Sequence, residues 1–470
     1  MRHEKIIGTN RPDHLVGSVY SDDIVAKKGD DVINALGGDD SINGGGGYDT
    51  AVFSGSVTDY SFQWLSDGRL QVSGPDGVDL LTGIEALQIG TDTYGVPAGV
   101  TFTLVKGSPV PPGDVLPGGI SDNGKVLSFS EFSPDFTSSK VFLWSHGQPH
   151  EIASAADHFV IAGPVSGNGR FVAYTEADLD ITTTDTFVLD RKTGSLTNIT
   201  QGADGISSIT SFSDDGRIAA LDSAATNLAP DTNGTTQDVL IYDRGHGGSF
   251  VNITNGADGG SFSPALSGDG KTVAFHSFAT NLVPGESDDN GQGDIFVFDR
   301  TTGKMDNITH GGNGFSGAPV LSEHGNMVAF SSDATNLVAG ETDSNGNTDI
   351  FIFNQKTGTM DNITHGANGT SLGASISDDG RYVTFASNAT NLVSGEADLN
   401  GSTVDVFVYD THTGKMANLT SGANGDSVGA AISGDGSTVE LATYATNLAP
   451  GSQSGFLNTV VADLGDYWFA

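Results

Sequence analysis

Two apolar rhythms run along this chain. In the first fifty-odd residues one apolar or small residue recurs every nine positions: Leu15, Ile24, Ile33, Ile42 and Ala51. Each stands two positions after an aspartate: Asp13, Asp22, Asp31, Asp40 and Asp49. Glycines fill the intervals, among them Gly38, Gly45 and Gly47. Such a unit predicts one step of a parallel β-roll, half of it a glycine turn and half a short strand with one inward apolar residue. A glycine-rich linker would not keep phase. The units over 26–52 fit well. Those over 8–25 are degenerate, with Arg11 and Tyr20 in place of the central glycine.

From about residue 118 the rhythm changes to strand-length runs with apolar alternation. A Ser-x-x-Gly anchor marks each unit: Ser121–Gly124, Ser166–Gly169, Ser213–Gly216, Ser267–Gly270, Ser322–Gly325, Ser377–Gly380 and Ser433–Gly436. One strand signal precedes the anchor, as in Ala318–Leu321, and one follows it, as in Thr272–His276. A third is Asp294–Asp299, and a fourth, Met305–Thr309, is reached through the turn Thr302-Gly303. Four antiparallel strands repeated radially predict a β-propeller, here of seven blades. The last unit has a third strand, Asn458–Ala462, and no fourth. The spare strand Val100–Val105 is expected to fill that place and close the ring. The expected fold is all-β: a β-roll with its cap over 1–95, a closing strand and Pro/Gly linker over 96–118, and a propeller over 119–470.

The aspartates give the first rhythm its chemistry. Carboxylates and freed turn carbonyls are the hard oxygens that calcium takes, and such binding is largely folding free energy. With Tyr60–Phe62, Asp76–Asp79 and Gly83–Ile89 behind them, the nonapeptides make residues 8–90 similar to the calcium-binding module of RTX, or hemolysin-type, secreted bacterial proteins. The resemblance implies Ca2+ as cofactor, held around Asp13, Asp22, Asp31, Gly38, Asp40, Gly45, Gly47 and Asp49. It also implies a secreted, extracellular protein. The ending Asp466–Ala470 resembles the uncleaved C-terminal signal of type I export. The family usually carries this module after its functional domain, whereas here it comes first. The longer repeat resembles TolB-like, WD40-like propellers, most strongly over 166–448.

A loop between the second and third strands is nearly the same in four units: Ala-Thr-Asn-Leu, then an acidic tract. The tracts bring Asp231, Asn233 and Asp238; Asp288, Asn290 and Asp294; Asp343, Asn345 and Asp349; and Asp398, Asn400 and Asp405. Asp-x-Asn-Gly with a later Asp resembles the start of an EF-hand loop without its final glutamate. Calcium loops and plain Asx-Gly turns both fit this pattern. These loops and the Gly-rich blade-joining loops, such as Gly256–Gly259, are expected on one face, the preferred binding surface.

Charge narrows the partners. The net charge of −38, from 58 acidic and 20 basic residues, excludes nucleic acid and anionic membranes as partners. There is no cysteine, hence no disulfide and no thiol catalysis. The N-terminus has no apolar signal-peptide core, and no run is long enough to insert in a membrane. Gly369–Gly373 and Gly425–Gly429 match Gly-x-Ser-x-Gly, yet lie in blade-joining loops rather than a strand–turn–helix elbow. A transition-metal site near His146, His150 and His158 stays open beside exposed turn histidines.

These readings lead to a non-catalytic, calcium-binding propeller that binds an extracellular glycan, surface polymer or protein. Two alternatives stand beside it: a polysaccharide lyase or hydrolase working in the propeller channel, and a structural surface-layer or biofilm component. A non-repeated cluster of His, Arg or Tyr at one channel mouth would favour the enzyme. A smooth polar rim would favour the binder. The oligomeric state is not legible in the sequence.

Overall fold

The computed structural model describes residues 4–65, 67–96, 100–107, 113–178, 182–234, 236–286, 290–340, 345–393 and 398–464. The nonapeptides wind into two parallel sheets. Lys5–Ile7, Asp23–Lys28 and Ser41–Gly46 pair in one; His14–Val16, Val32–Asn34 and Thr50–Phe53 pair in the other. One full turn is two nonapeptides, so Ile24 registers with Ile42 and Leu15 with Ile33. Ile24, Ile33, Ile42 and Ala51 are fully buried between the sheets, while Leu15, nearer the open end, is half-buried. Burying one such side chain contributes about 1.5–3 kcal/mol. Ala26, Ala35 and Ala51 add only methyl groups to these isoleucines, so this core is thin.

The spiral then breaks. A 3-10 turn at Val57–Asp59 and the hairpin Ser61–Trp64 with Leu70–Gly74 intervene. It resumes as Gly77–Thr82 pairs in parallel with Ser41–Gly46, and Ala86–Ile89 with Thr50–Phe53.

Seven four-stranded antiparallel sheets form the ring. Their first strands surround the axis: Val115–Ile120, Phe159–Val165, Ser207–Phe212, Ser261–Leu266, Ser316–Leu321, Ser371–Ile376 and Ser427–Ile432. Blade seven takes its fourth strand from upstream. Thr101–Val105 pairs antiparallel with Asn458–Asp463, from Thr101 opposite Asp463 to Val105 opposite Thr459, as the spare strand predicts. The proline stretch 109–112 lies outside the described residues, as does the 466–470 ending.

Local chemistry explains the repeat. In every Ser-x-x-Gly turn the serine hydroxyl accepts the amide N–H five residues on, as from Val126 to Ser121 and from Thr438 to Ser433. Between second and third strands an aromatic pair stacks: Phe129–Phe142, Tyr174–Phe187, Phe275–Phe296, Phe330–Phe351 and Phe385–Phe407, with centroids 5.1–5.7 Å apart. The fourth strand is shorter than predicted, ending at Asn307 rather than Thr309. The roll is not a detached bead. Trp64, Val96 and Val100 share one apolar core with Leu419, Ala423 and Leu448 of blades six and seven.

Candidate calcium site and binding face

The five nonapeptide aspartates line up in two ladders along opposite edges of the roll. Each rung accepts the amide N–H of the rung one full turn earlier: Asp13 to Asp31 Oδ1 at 2.6 Å, Asp22 to Asp40 at 2.7 Å, Asp31 to Asp49 at 2.9 Å. That bond uses one carboxylate oxygen. The other, Oδ2, has no hydrogen-bond partner in Asp31, Asp40 or Asp49, which are 1%, 3% and 0% exposed. An orphaned buried carboxylate oxygen is costly without a cation. Burial pushes the Asp49 carboxyl up to about 6, with added repulsion from Asp31 and Asp30; burial raises Asp40 as well.

The glycines make the space. A Cβ placed on Gly8 would lie 2.6 Å from the Ala26 carbonyl oxygen and 2.9 Å from Asp13 Oδ2; on Gly17, 2.5 Å from the Ala35 oxygen and 3.0 Å from Asp22 Oδ2. Carbonyl and carboxylate oxygens thus converge on hollows a side chain would fill, which is the donor chemistry calcium takes. Gly38, Gly45 and Gly47 turn with φ of +130°, +101° and +133°, and a Cβ on any of them would strike backbone of the adjacent turn. Among the described residues no three His, Cys, Asp or Glu side chains form one cluster, and His158 simply pairs with Asp157 at 2.9 Å.

The four acidic propeller loops share one arrangement at the start of the third strand. Asp238, Asp294, Asp349 and Asp405 are buried at the start of the third strands, and both oxygens of each accept from the Asn-x-Thr at and just beyond the end of the fourth strand. Asn307 Nδ2 reaches Asp294 Oδ2 and Thr309 Oγ1 reaches Asp294 Oδ1, both at 2.8 Å, with the same pairing to Asp238, Asp349 and Asp405. The recurring Asn-x-Thr is thus an interstrand clamp. In blades three and six both aspartates and the asparagine of the loop are described. Asn233 Nδ2 donates to Asp238 Oδ1 at 3.2 Å while Asp231 accepts the Asn233 amide at 2.9 Å. Asn400 Nδ2 donates to Asp405 Oδ1 at 3.1 Å, and burial with repulsion from Asp405 pushes Asp398 up to about 7. The amide oxygens of Asn233 and Asn400 are buried without a partner. In blades four and five, Asn290 and Asn345 turn their amides to the Gly312 and Ala367 carbonyls, as Asn400 also does to Ala423. Asp288 and Asp343 lie outside the described residues.

Thr and Asn of Ala-Thr-Asn-Leu stitch these loops to the blade-joining loops, so both sets share a face. Thr280 binds Asp258, and Asn281 Nδ2 binds the Gly256 carbonyl at 3.0 Å. Ser371 and Ser427 of the Gly-x-Ser-x-Gly matches are fully buried and bonded to Ser387 and Thr443. The axial channel encloses about 700 Å³, lined by first-strand residues such as Ala162, Pro164, Ile209, Pro264, Pro319 and Ala374; no His, Arg, Tyr or carboxylate is among its lining residues. One non-repeated feature stands on the loop-rich face, between blades four and five. His276 stacks on Phe262 at 5.4 Å and meets Phe315 edge-on at 5.5 Å; Phe278 lies 5.9 Å from Phe315. Phe278 is 42% exposed. Burial pushes His276 down to about 4, so the cluster is neutral. Gly260, Gly293 and Gly317 clear the room these rings occupy, where blade three carries Ile206, Gln237 and Ser208. Unit-by-unit comparison of the repeats would have revealed it; hydrophobic periodicity does not.

Residues 7–51 match the RTX calcium-binding nonapeptide repeat, in four copies. Comparison with curated proteins gives no match. Among solved structures the chain is similar to TolB from Acinetobacter baumannii (13% identity, 81% of this chain and 80% of that one, TM-score 0.40). It is similar also to the β-propeller domain of the Trilobed protease from Pyrococcus furiosus (13%, 77% and 100%, 0.49) and to oligogalacturonate lyase from Vibrio parahaemolyticus (12%, 75% and 98%, 0.37). Calcium-binding RTX repeats followed by a seven-bladed β-propeller define the class of this protein. No helix among the described residues is long and apolar enough to cross a membrane.

Proposed function

We propose that this chain is a secreted, type I-exported binding protein, folded by calcium, that attaches to an extracellular glycan or protein without catalysis of its own. Calcium is held by the ladder carboxylates Asp13, Asp22, Asp31, Asp40 and Asp49 with the turn carbonyls. Further ions sit in the loops of blades three and six, where Asn233 and Asn400 present unpaired amide oxygens between two aspartates. Asp238, Asp294, Asp349 and Asp405 also serve as clamps for the Asn-x-Thr segments.

The observation that carries the binding reading is the aromatic cluster of Phe262, His276, Phe278 and Phe315. It breaks the symmetry of an otherwise repetitive rim and presents apolar ring faces beside polar loops, the pattern of a recognition surface. The alternative, a lyase or hydrolase in the channel, would have to work with the small apolar, serine and threonine residues that line the cavity.

The test is a glycan array and a pull-down with the full chain in calcium, repeated with Phe278→Ala and Phe315→Ala. A ligand whose affinity falls about tenfold or more in both variants, equivalent to about 1.4 kcal/mol, supports the reading. Ligand binding indifferent to both substitutions, cleavage of a polysaccharide, or calcium-driven self-assembly alone would each overturn it.

A further inference from the structure

The calcium ladders do not stop where the nonapeptides stop. After Asp49 the chain leaves the spiral for a 3-10 turn and a hairpin, then re-enters it at Gly77. On re-entry, Asp79 takes the next place on one edge and Glu85 the next place on the other. Asp40 donates its amide N–H to Asp79 Oδ1 at 2.9 Å, and Asp49 donates to Glu85 Oε2 at 2.7 Å. These repeat the bonds from Asp13 to Asp31 and from Asp22 to Asp40.

The backbone agrees. In the nonapeptides the residue after each rung donates to the previous rung's carbonyl, as from Val32 to Asp13 and Ser41 to Asp22, both at 2.9 Å. Leu80 does the same to Asp40 at 2.8 Å, and Ala86 to Asp49 at 3.0 Å. The inward residue two positions on is also present: Leu81 and Leu87 are buried beside Ile42 and Ala51. The hollow recurs on the Glu85 edge, while on the Asp79 edge its place, five residues before Asp40, is held by Ala35. A Cβ on Gly44 would run into the Gly83 carbonyl oxygen and Asp49 Oδ2, as one on Gly8 would meet Ala26 and Asp13.

One difference explains why the spacing hides this turn. Successive nonapeptide rungs are nine residues apart, whereas Asp79 and Glu85 are six apart. The connection is three residues shorter, and the added methylene of glutamate spans the gap to the Asp49 amide. The unpartnered Oδ2 atoms of Asp40 and Asp49, each more than nine-tenths buried, belong to the rungs that face these two residues.

We infer that Asp79, Glu85 and the Gly83 carbonyl form two further calcium sites, one closing each ladder, which the nonapeptide pattern does not contain. This rests on the reading of the nonapeptide aspartates as calcium ligands. The rung pairs are then Asp13–Asp31, Asp22–Asp40 and Asp31–Asp49 within the nonapeptides, plus Asp40–Asp79 and Asp49–Glu85 at the cap.

The experiment is calcium alone, by equilibrium dialysis on the full-length chain, for wild type, Asp79→Asn, Glu85→Gln, Glu85→Asp and the reference variant Asp31→Asn. The cap variants are each expected to lose one bound ion, or to weaken one site at least tenfold. Glu85→Asp is expected to behave like Glu85→Gln, because the shorter side chain cannot span the six-residue connection. Near-UV circular dichroism at saturating calcium shows that each variant keeps its fold; should Asp79→Asn fail to fold, Glu85→Asp carries the test. Loss of ions in Asp31→Asn with wild-type binding in the folded cap variants overturns this inference alone. Wild-type binding in Asp31→Asn as well overturns the underlying calcium reading.

Discussion

The carbonyl oxygen of Asn447, in the loop after the second strand of blade seven, accepts the amide N–H of Trp64 from the β-roll at 3.0 Å. The Asn447 amide in turn donates to the Phe62 and Gly422 carbonyls, each at 2.8 Å. The Gly422 bond is the brace that Asn281 and Asn391 make in their own blades. Blade seven therefore uses a repeat residue twice, once to brace its loops and once to dock the roll.

Asn447→Ala should loosen that docking. It leaves the Phe62 carbonyl without its donor in a mostly buried seam, a cost of about 1–3 kcal/mol. Calorimetry of the full chain in calcium is expected to show the roll melting earlier, as a separate transition. Asn391→Ala, which removes the same brace away from the roll, should leave the roll's transition in place. Equal behaviour of the two variants would show that the docking bond carries no stability.

Calcium removal should reach the propeller through blade seven. The closing strand Thr101–Val105 follows the roll directly, and the roll shares its core with blades six and seven. In chelator, hydrogen exchange is expected to speed up over 5–95 and over Thr101–Val105, while blades three to five keep their protection. The roll should regain protection at roughly 10⁻⁴–10⁻³ M calcium, the range of extracellular modules. Unchanged exchange at Thr101–Val105 would show that ring closure is independent of the roll.

The second position of each Ser-x-x-Gly turn is knitted into a closed belt around the axis. The amide of Asp122 donates to Gly167, Asn168 to Asp214, Asp214 to Gly268, Asp269 to Glu323, Glu323 to Asp378, Asp378 to Gly434 and Asp435 to Asp122, at 2.7–3.0 Å. This belt crowds carboxylates. Burial, then repulsion from Asp378, Asp214 and Glu323, pushes Asp122 up to about 7. A carboxyl raised on folding contributes stability below its unfolded pKa, near 3.8, and loses it as pH rises through 7. Asp122→Asn should thus raise the Tm at pH 8, with the gain shrinking as pH falls toward 4. A gain that is constant with pH would assign the effect to something other than charge.

Glu440 offers a sharper version. It is fully buried in the second strand of blade seven, and neither carboxylate oxygen has a partner. Burial raises its pKa well above the ordinary glutamate value. The same register position holds Ser128, Ala220, Ala274, Ala329 and Thr384 in other blades. Glu440→Gln keeps the shape and removes the titration, so it should stabilise at pH 8 by at least about 1 kcal/mol and change little near pH 4. Thermal melts at both pH values decide it. A destabilised Glu440→Gln at pH 8 would show that the buried carboxylate does not weaken the fold.

The sequence by itself determined the two repeats, the seven blades and the strand that closes them. Each unit carries its own turn serine and strand alternation, and these are local instructions. It also marked Asp13, Asp22, Asp31, Asp40 and Asp49, because they recur at equal spacing. Only the tertiary structure showed that Asp238, Asp294, Asp349 and Asp405 are tied by Asn-x-Thr partners, since those donors arrive from the next strand. It alone placed Phe262, His276, Phe278 and Phe315 together from two blades, and Asp79 and Glu85 at the head of the ladders. The last two lie beyond a hairpin that breaks the period. A period registers only what recurs at fixed distance along the chain, while folding joins whatever the sheet register brings opposite.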